Sequence, residues 1–211
     1  MAPMELPTDL TPELAPLYWL LGSWRGQGRL GSGEQDDPIF MQDVTFRDTG
    51  LEFVEYRAET WLADEAGARL RPLSVETGFW SLDRARTDAD VGPGLDPADV
   101  VPAYKSAAEV DQLAEQDGSF AITATITHPG SISELYYGKI KGPQLHLATD
   151  AVMRGEHAAE YPGASRMFGL VNSQLFWRWD LRAADGEMVP HASAILDRIA
   201  SAGEVSAKST A

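Results

Sequence analysis

The chain has 211 residues, of which 44% are hydrophobic, as is typical of one globular domain with a substantial core. Its formal net charge of −15 argues against binding to nucleic acid or to anionic membrane surfaces, because both attract clustered Lys and Arg. Since the chain contains no cysteine, disulfides, thiolate metal ligands and cysteine nucleophiles are excluded.

The N-terminal residues predict a loose arm over 1–10, followed by a short helix. No Lys or Arg precedes Arg25, and prolines interrupt the apolar residues, so we expect no secretory signal and a cytoplasmic protein. Thr11 is the predicted N-cap, and the proline after it suits the first helical position. Apolar residues then recur at helical spacing until Gly22, the predicted C-cap. Such a helix can cover one end of a barrel.

From Trp24 onward, short apolar segments alternate with turn residues, a pattern that predicts antiparallel strands with short connections. The ten predicted strands are 24–30, 38–48, 51–61, 69–81, 119–128, 131–140, 144–152, 165–171, 174–182 and 188–199. An up-and-down sheet exposes two edges unless it closes, and closure at about eight to ten strands leaves room for one small ligand. We therefore predict an all-β fold, a ten-stranded antiparallel up-and-down β-barrel with its site inside, over residues 11–200.

Two segments fall outside this pattern. The connection 83–118 is rich in acidic residues and proline, which favours a solvated insertion over a lid, with one short helix over 107–116. Residues 201–211 are small and polar, and we expect them to form a flexible tail.

The chain has four histidines, at 128, 146, 157 and 191, and none has the spacing of a helical zinc site. His128 precedes a Pro-Gly turn and is interpreted as a turn residue, whereas His146 and His157 are expected to face solvent. His191 follows Pro190 at the head of the last strand, where barrel closure would turn it inward. A neutral imidazole is the commonest metal ligand in proteins, although spacing alone favours a structural role for a single strand histidine.

The other sequence patterns do not indicate a specific catalytic site. No G-x-S-x-G elbow and no G-x-G-x-x-G after a strand is present, so neither an α/β-hydrolase nor a dinucleotide fold is indicated. The glutamate pairs Glu55/Glu59 and Glu76/Glu134 receive no acid–base role, because most acids are solvated. Three methionines are candidate linings of an apolar pocket, although Met is also a common core filler; they are Met153, Met167 and Met188.

A longer pattern joins both ends of the chain. Gly22, Trp24, Gly26 and Gly28 form a Gly-x-Trp-x-Gly-x-Gly motif, and the chain closes with Pro-His-Ala-Ser-Ala-Ile-Leu around His191. Together with His-Pro-Gly at 128–130 and Leu-Ala-Thr-Asp-Ala-Val at 147–152, these segments resemble the nitrobindins. This resemblance covers roughly 11–200 and implies a barrel of the lipocalin or fatty-acid-binding type.

The resemblance also implies a function. His191 corresponds to the family's axial iron ligand, so the chain is expected to bind one haem b, to isomerise peroxynitrite to nitrate and to bind nitric oxide, with His191 as the catalytic residue. A homodimer is compatible with it. A family Thr is absent from the loop 31–37 and Ala159 stands where the family has Lys, so Arg154 or Arg166 is expected to contact the haem carboxylates instead.

Two alternatives from other classes stay open at this point. The same cavity would suit a non-catalytic protein that binds haem or a small apolar ligand. The acidic insertion 83–118 would also suit a ligand-free interaction module.

Overall fold

The structure, a computed structural model, describes residues 6–90, 92, 95 and 99–201. Its strands are β1 (Gly22–Leu30), β2 (Ile39–Asp48), β3 (Phe53–Ala63), β4 (Arg69–Leu82), β5 (Phe120–His128), β6 (Ile132–Lys141), β7 (Gln144–Arg154), β8 (Ala164–Val171), β9 (Gln174–Arg182) and β10 (Met188–Ala200). Each strand pairs antiparallel with the next, and β10 pairs with β1 to close the barrel. The predicted ten-stranded up-and-down barrel is confirmed, with strand ends shifted by at most two residues. The predicted arm and tail lie outside the described residues except for 6–10 and 201.

The helix before β1 differs from the prediction. Pro12–Leu20 is a 3₁₀ helix in which Thr11 makes no side-chain capping bond, and its C-cap is Leu21 rather than Gly22. Pro16 lies inside this segment, where in an α-helix its ring would clash with the carbonyl four residues earlier, so a regular α-helix is disfavoured. Gly22, with φ of 125°, already belongs to β1.

The tryptophan of the glycine motif closes the helix-covered end of the barrel. Trp24 is fully buried and its Nε1 donates to the carbonyl of Leu20 at 2.7 Å. The guanidinium of Arg198 on β10 lies 4.0 Å from the Trp24 ring centroid and donates to the carbonyls of Trp19, at 2.9 Å, and Leu21. The motif therefore seals the barrel and joins its first and last strands to the helix.

The glycines of the motif allow close contact between β1 and β10. A Cβ added at Gly26 would lie 2.1 Å from the carbonyl oxygen of Ile195, and one at Gly28 would lie 2.4 Å from that of Ser193. A larger residue at either position would force the strands apart, as expected for glycine at a close backbone approach.

Aromatic side chains fill the half of the barrel beneath the helix. Phe46, Tyr56, Trp80 and Phe168 contact one another with ring centroids 5.0–6.3 Å apart. Because this half is packed with side chains, the predicted interior site is confined to the opposite half. Inward positions there, such as Thr60, Leu62 and Trp177, are only half-buried, so this end is open to solvent.

Most described residues of the insertion are exposed, as predicted. The insertion contains one short helix, α1 (Ala107–Val110), and a 3₁₀ turn (Asp111–Leu113). Val110 is fully buried and α1 packs on the N-terminal helix, while Arg84 holds Asp90 through two hydrogen bonds of 2.9 Å. The predicted short helix is present within 107–116, and Val110 departs from the solvated pattern because its apolar side chain packs on the N-terminal helix. Within the described ranges, no helix has the length and hydropathy needed to span a membrane.

Candidate functional site

His191 lies at the start of β10, at the open end of the barrel. Pro190 pairs with Asp180 and Ala192 pairs with Trp179, so His191 occupies a bulge between them. A bulge changes the direction of a side chain, and here the imidazole contacts Trp179, with ring centroids 4.8 Å apart and planes at 85°. Its carbonyl oxygen accepts a 2.6 Å hydrogen bond from the N–H of Gly31. The ring is therefore on the inner side of the barrel wall.

The surroundings of His191 favour its neutral form. Burial lowers the pKa of the imidazole below its usual value, and the charge of Arg166 lowers it further, against an opposing contribution from Glu76. Neither ring nitrogen has a hydrogen-bond partner among the residues that the structure describes. A neutral imidazole with a free nitrogen is the form that binds a metal.

Behind the site, Glu134 forms the centre of a buried hydrogen-bond network. Its carboxylate accepts from His128 Nε2 at 2.9 Å, Tyr136 Oη at 2.7 Å and Thr149 Oγ1 at 2.8 Å. Burial pushes the pKa of Glu134 upward, but these hydrogen bonds and the charge of Arg166 hold it below its usual value. Glu134 is thus an ionised, fully bonded group, and His128 is fixed by it rather than by its own turn.

Arg166 links this network to Glu76 and Trp179. Its Nη1 lies 2.8 Å from a carboxylate oxygen of Glu76, its Nε donates to Tyr136 Oη at 3.1 Å, and its Cζ lies 4.2 Å from the Trp179 ring centroid. Burial alone would lower the pKa of Arg166, but the Glu76 carboxylate and its other neighbours raise it well above the usual value. Arg166 therefore keeps its positive charge inside the barrel, and the expectation of solvated carboxylates is wrong for Glu76 and Glu134.

Three buried donors in this region have no acceptor within the described part of the chain. They are Nη2 of Arg166, Nε1 of Trp179 and Oη of Tyr161, which lies close to the Tyr136 hydroxyl. The indoles of Trp19 and Trp80 also lack an acceptor, but they lie in the helix-covered half. Since buried polar groups in proteins are nearly always bonded, this cluster suits a ligand that carries acceptor oxygens.

Other predicted site residues lie elsewhere. Arg154 contacts the carbonyl of Ala159 at 3.2 Å and the carboxylate of Glu160 at 2.9 Å on the surface. His146 and His157 are exposed, as predicted. The methionines do not line a pocket inside the barrel: Met153, Met167 and Met188 are all exposed on its outer face. All three occupy outward positions of their strands, and the prediction that they line an apolar pocket holds for Met167, which lines a groove on the outer wall.

A groove of about 1050 Å³ lies on the outer wall across β1, β7, β8, β9 and β10. Its lining includes Met167, Phe176 and Ile195 but none of His191, His128 and Arg166. We therefore locate the site by its side-chain chemistry rather than by cavity volume.

Arg166 was already a candidate from the sequence, whereas Glu76 and Glu134 were given no role in the site, although a signal for them was present. Glu76 lies an even number of residues from Trp80, so both side chains face the barrel interior. The same alternation places Glu134 with Tyr136 and Arg166 with Phe168. A charged residue at an inward position of a strand is expected to be buried and paired. Strand alternation could thus have identified these charged residues as buried, whereas the partners of each residue depend on tertiary structure.

Comparison with known proteins gives an independent view. Residues 13–198 match the family described as a THAP4-like, heme-binding beta-barrel domain. A protein of Micrococcus luteus named peroxynitrite isomerase is 64% identical over 95% of this chain and 89% of its own length. Relatives of the same name from Renibacterium salmoninarum and Pseudarthrobacter chlorophenolicus are 61% and 58% identical, over 94% and 93% of this chain and 94% and 99% of their own lengths.

Among solved structures, the crystal structure of Rv2717c from M. tuberculosis gives a TM-score of 0.62 at 23% identity, covering 90% of this chain and 99% of that chain. This match shows the same fold. The resemblance to the nitrobindins that was drawn from the motifs is confirmed by the family match.

Proposed function

Because the chain belongs to the family of THAP4-like, heme-binding beta-barrel domains, we propose that it is a haem-binding barrel that isomerises peroxynitrite to nitrate. One observation in the structure carries the assignment to a site: His191 is an inward-facing imidazole at the open end whose ring nitrogens have no described partner. The other three imidazoles are unsuited, since His128 is bonded to Glu134 and His146 and His157 are exposed on the outside.

The residues present fit a haem. His191 would hold the iron, and the unpaired Nη2 of Arg166 would donate to a haem carboxylate, a charge-assisted bond that Lys or Arg commonly provides. Arg154 suits this role less well because it already contacts Glu160 and a loop carbonyl. When bound, ferric haem supplies a Lewis-acidic iron for the rearrangement of peroxynitrite. The protein would supply the imidazole that holds the iron, the polar donors beside it and access for a small anion through the open end.

The finer details are part of the same proposal. We propose one haem b per chain, reversible binding of nitric oxide at the same iron, and a cytoplasmic protein that contacts neither nucleic acid nor membrane, in keeping with the net charge of −15. The apolar outer groove is the surface on which a homodimer would form, and light scattering of the purified protein tests this.

The function is tested with hemin and peroxynitrite. The wild-type protein titrated with hemin is expected to give the Soret band of a five-coordinate, histidine-ligated ferric haem, and stopped-flow mixing with peroxynitrite should show accelerated decay to nitrate. His191→Ala should lose both signals, while His146→Ala, which removes an exposed histidine of the outer wall, should keep both. Equal bands in His191→Ala and wild type would contradict the ligand assignment.

The alternative of a non-catalytic binding protein is not favoured, because relatives that share more than half of their residues with this chain are named as enzymes. A binding role without catalysis would be favoured if the haem complex formed through His191 but peroxynitrite decayed no faster than in buffer.

A further inference from the structure

The orientation of the His191 ring depends on one neighbouring side chain. Metal-binding histidines usually donate their second N–H to a carboxylate or carbonyl, which fixes the plane of the ring. No such acceptor is found for His191 in the part of the chain that the structure describes. Among aromatic side chains, the ring contact of His191 is with Trp179, in the perpendicular arrangement that aromatic pairs prefer.

Trp179 is itself held firmly. The Arg166 guanidinium lies 4.2 Å from its ring centroid, and the His128 ring stacks on it at 6.0 Å with planes 16° apart. Both neighbours are anchored in turn, Arg166 by Glu76 at 2.8 Å and His128 by Glu134 at 2.9 Å. A continuous set of fixed groups thus extends from the two buried carboxylates to the imidazole.

We infer that Trp179 is the positioning residue for His191, replacing with an aromatic contact the hydrogen bond that usually orients a metal-binding histidine. This inference rests on the proposed role of His191 as the iron ligand. Trp179 does not touch the iron in this role; it restricts the rotation of the imidazole, so that less ordering is needed when the ligand binds. Loss of an orienting partner around a metal ligand typically lowers affinity about 10–100-fold.

The chain offers a matched control on the same strand. Trp177 also faces the barrel interior from β9, where it stacks on Phe40 at 5.9 Å and donates to Gln42 Oε1 at 2.8 Å. It has no ring contact with His191 among the described residues. Trp177→Leu therefore removes an indole of equal size while the ring contact between Trp179 and His191 stays in place.

The contact is tested first in the protein without hemin. The ring-proton NMR signals of His191, assigned with His191→Ala, should be displaced in wild type by the ring current of Trp179. Trp179→Leu should abolish the displacement, Trp179→Phe should keep part of it, and Trp177→Leu should leave it unchanged. Wild-type His191 signals at the position of an exposed histidine would overturn the inference without any measurement on haem.

Hemin titration and resonance Raman spectra then test the consequence. Trp179→Leu should lower hemin affinity about 10–100-fold and broaden or shift the iron–histidine stretching band of the reduced protein, with rescue by Trp179→Phe. Affinity and band equal to those of wild type would overturn the inference. Failure of the proposed function would look different, since wild type would then bind no hemin although its His191 signals were displaced.

Discussion

The buried ion pair between Arg166 and Glu76 allows a quantitative test of the polar network. Their side chains are only 3% and 5% exposed and lie 2.8 Å apart. Arg166→Met keeps the approximate length of the side chain but leaves the carboxylate of Glu76 without its counter-ion. Removing one partner of a buried pair costs about 3–5 kcal/mol, because an uncompensated charge stays behind.

Two further contacts are lost in Arg166→Met. The hydrogen bond to Tyr136 contributes about 1 kcal/mol and the cation–π contact with Trp179 about 0.5–2 kcal/mol. Because these groups share one network, their contributions do not add fully. We expect a total loss of about 4–5 kcal/mol in the free energy of unfolding. At about 2–4 °C per kcal/mol for a domain of this size, the Tm should fall by roughly 8–20 °C.

Urea and thermal unfolding of the hemin-free protein measure this loss in Arg166→Met, Glu76→Leu and the double variant. The double variant leaves no unpaired charge at position 76, although Glu134 still loses the nearby charge of Arg166, so it should recover about 2 kcal/mol relative to Arg166→Met. A single variant within about 1 kcal/mol of wild type would refute the reasoning. So would a double variant no more stable than Arg166→Met, because Glu76 would then not be the group left uncompensated.

Three other predictions concern separate parts of the barrel. The pKa of Glu134 lies below its usual value in the folded state, so its contribution to stability is complete above its unfolded-state pKa of about 4.3 and is lost as pH falls through the folded-state pKa. Thr149→Val, which removes one of its hydrogen bonds, should flatten the rise of unfolding free energy from about pH 3 to 5, and an unchanged slope would contradict this. Gly28→Ala should cost about 1–3 kcal/mol in urea unfolding, because the new Cβ would lie 2.4 Å from the Ser193 carbonyl oxygen, whereas Gly169→Ala, with 3.8 Å of clearance, should cost little. Arg198→Ala should lower the free energy of unfolding by about 1–2 kcal/mol, because its bonds to the helix carbonyls are lost. This loss should exceed the loss caused by Arg178→Ala, whose partner Asp180 is on the surface.

The strands were predictable because two local signals agree along the chain. Turn residues separate the segments, and apolar residues alternate within them, as Phe40, Val44 and Phe46 do in β2. The nature of the first helix was less predictable, since Pro12 suits the start of an α-helix whereas Pro16 lies inside the same segment. The burial of Val110 could not be read from its neighbours, because its contacts with the N-terminal helix are remote in sequence.

The site was predictable only in part. His191 occupies an outward phase if strand alternation is counted back from the buried Ala192, and the bulge after Pro190 turns it inward. Alternation alone would therefore have placed it in solvent, and the motif resemblance was needed to single it out. Trp179 had no such signal, because its role depends on Arg166 and His128, which approach it from other strands.

The open half of the barrel contains a buried ion pair, and its presence there is explained better by ligand binding than by folding. A buried ion pair is often no more stabilising than an apolar pair of similar size, so folding alone does not require Arg166 and Glu76. The helix-covered half achieves its packing with aromatic rings, and the open half could do the same. What an apolar replacement would remove is the unpaired Nη2 of Arg166 and the cation that fixes Trp179 beside His191. The double variant of Arg166→Met and Glu76→Leu should therefore stay folded yet bind hemin more weakly, which would assign the network to ligand binding rather than to stability. If that variant bound hemin as tightly as wild type, the network would have no part in the site.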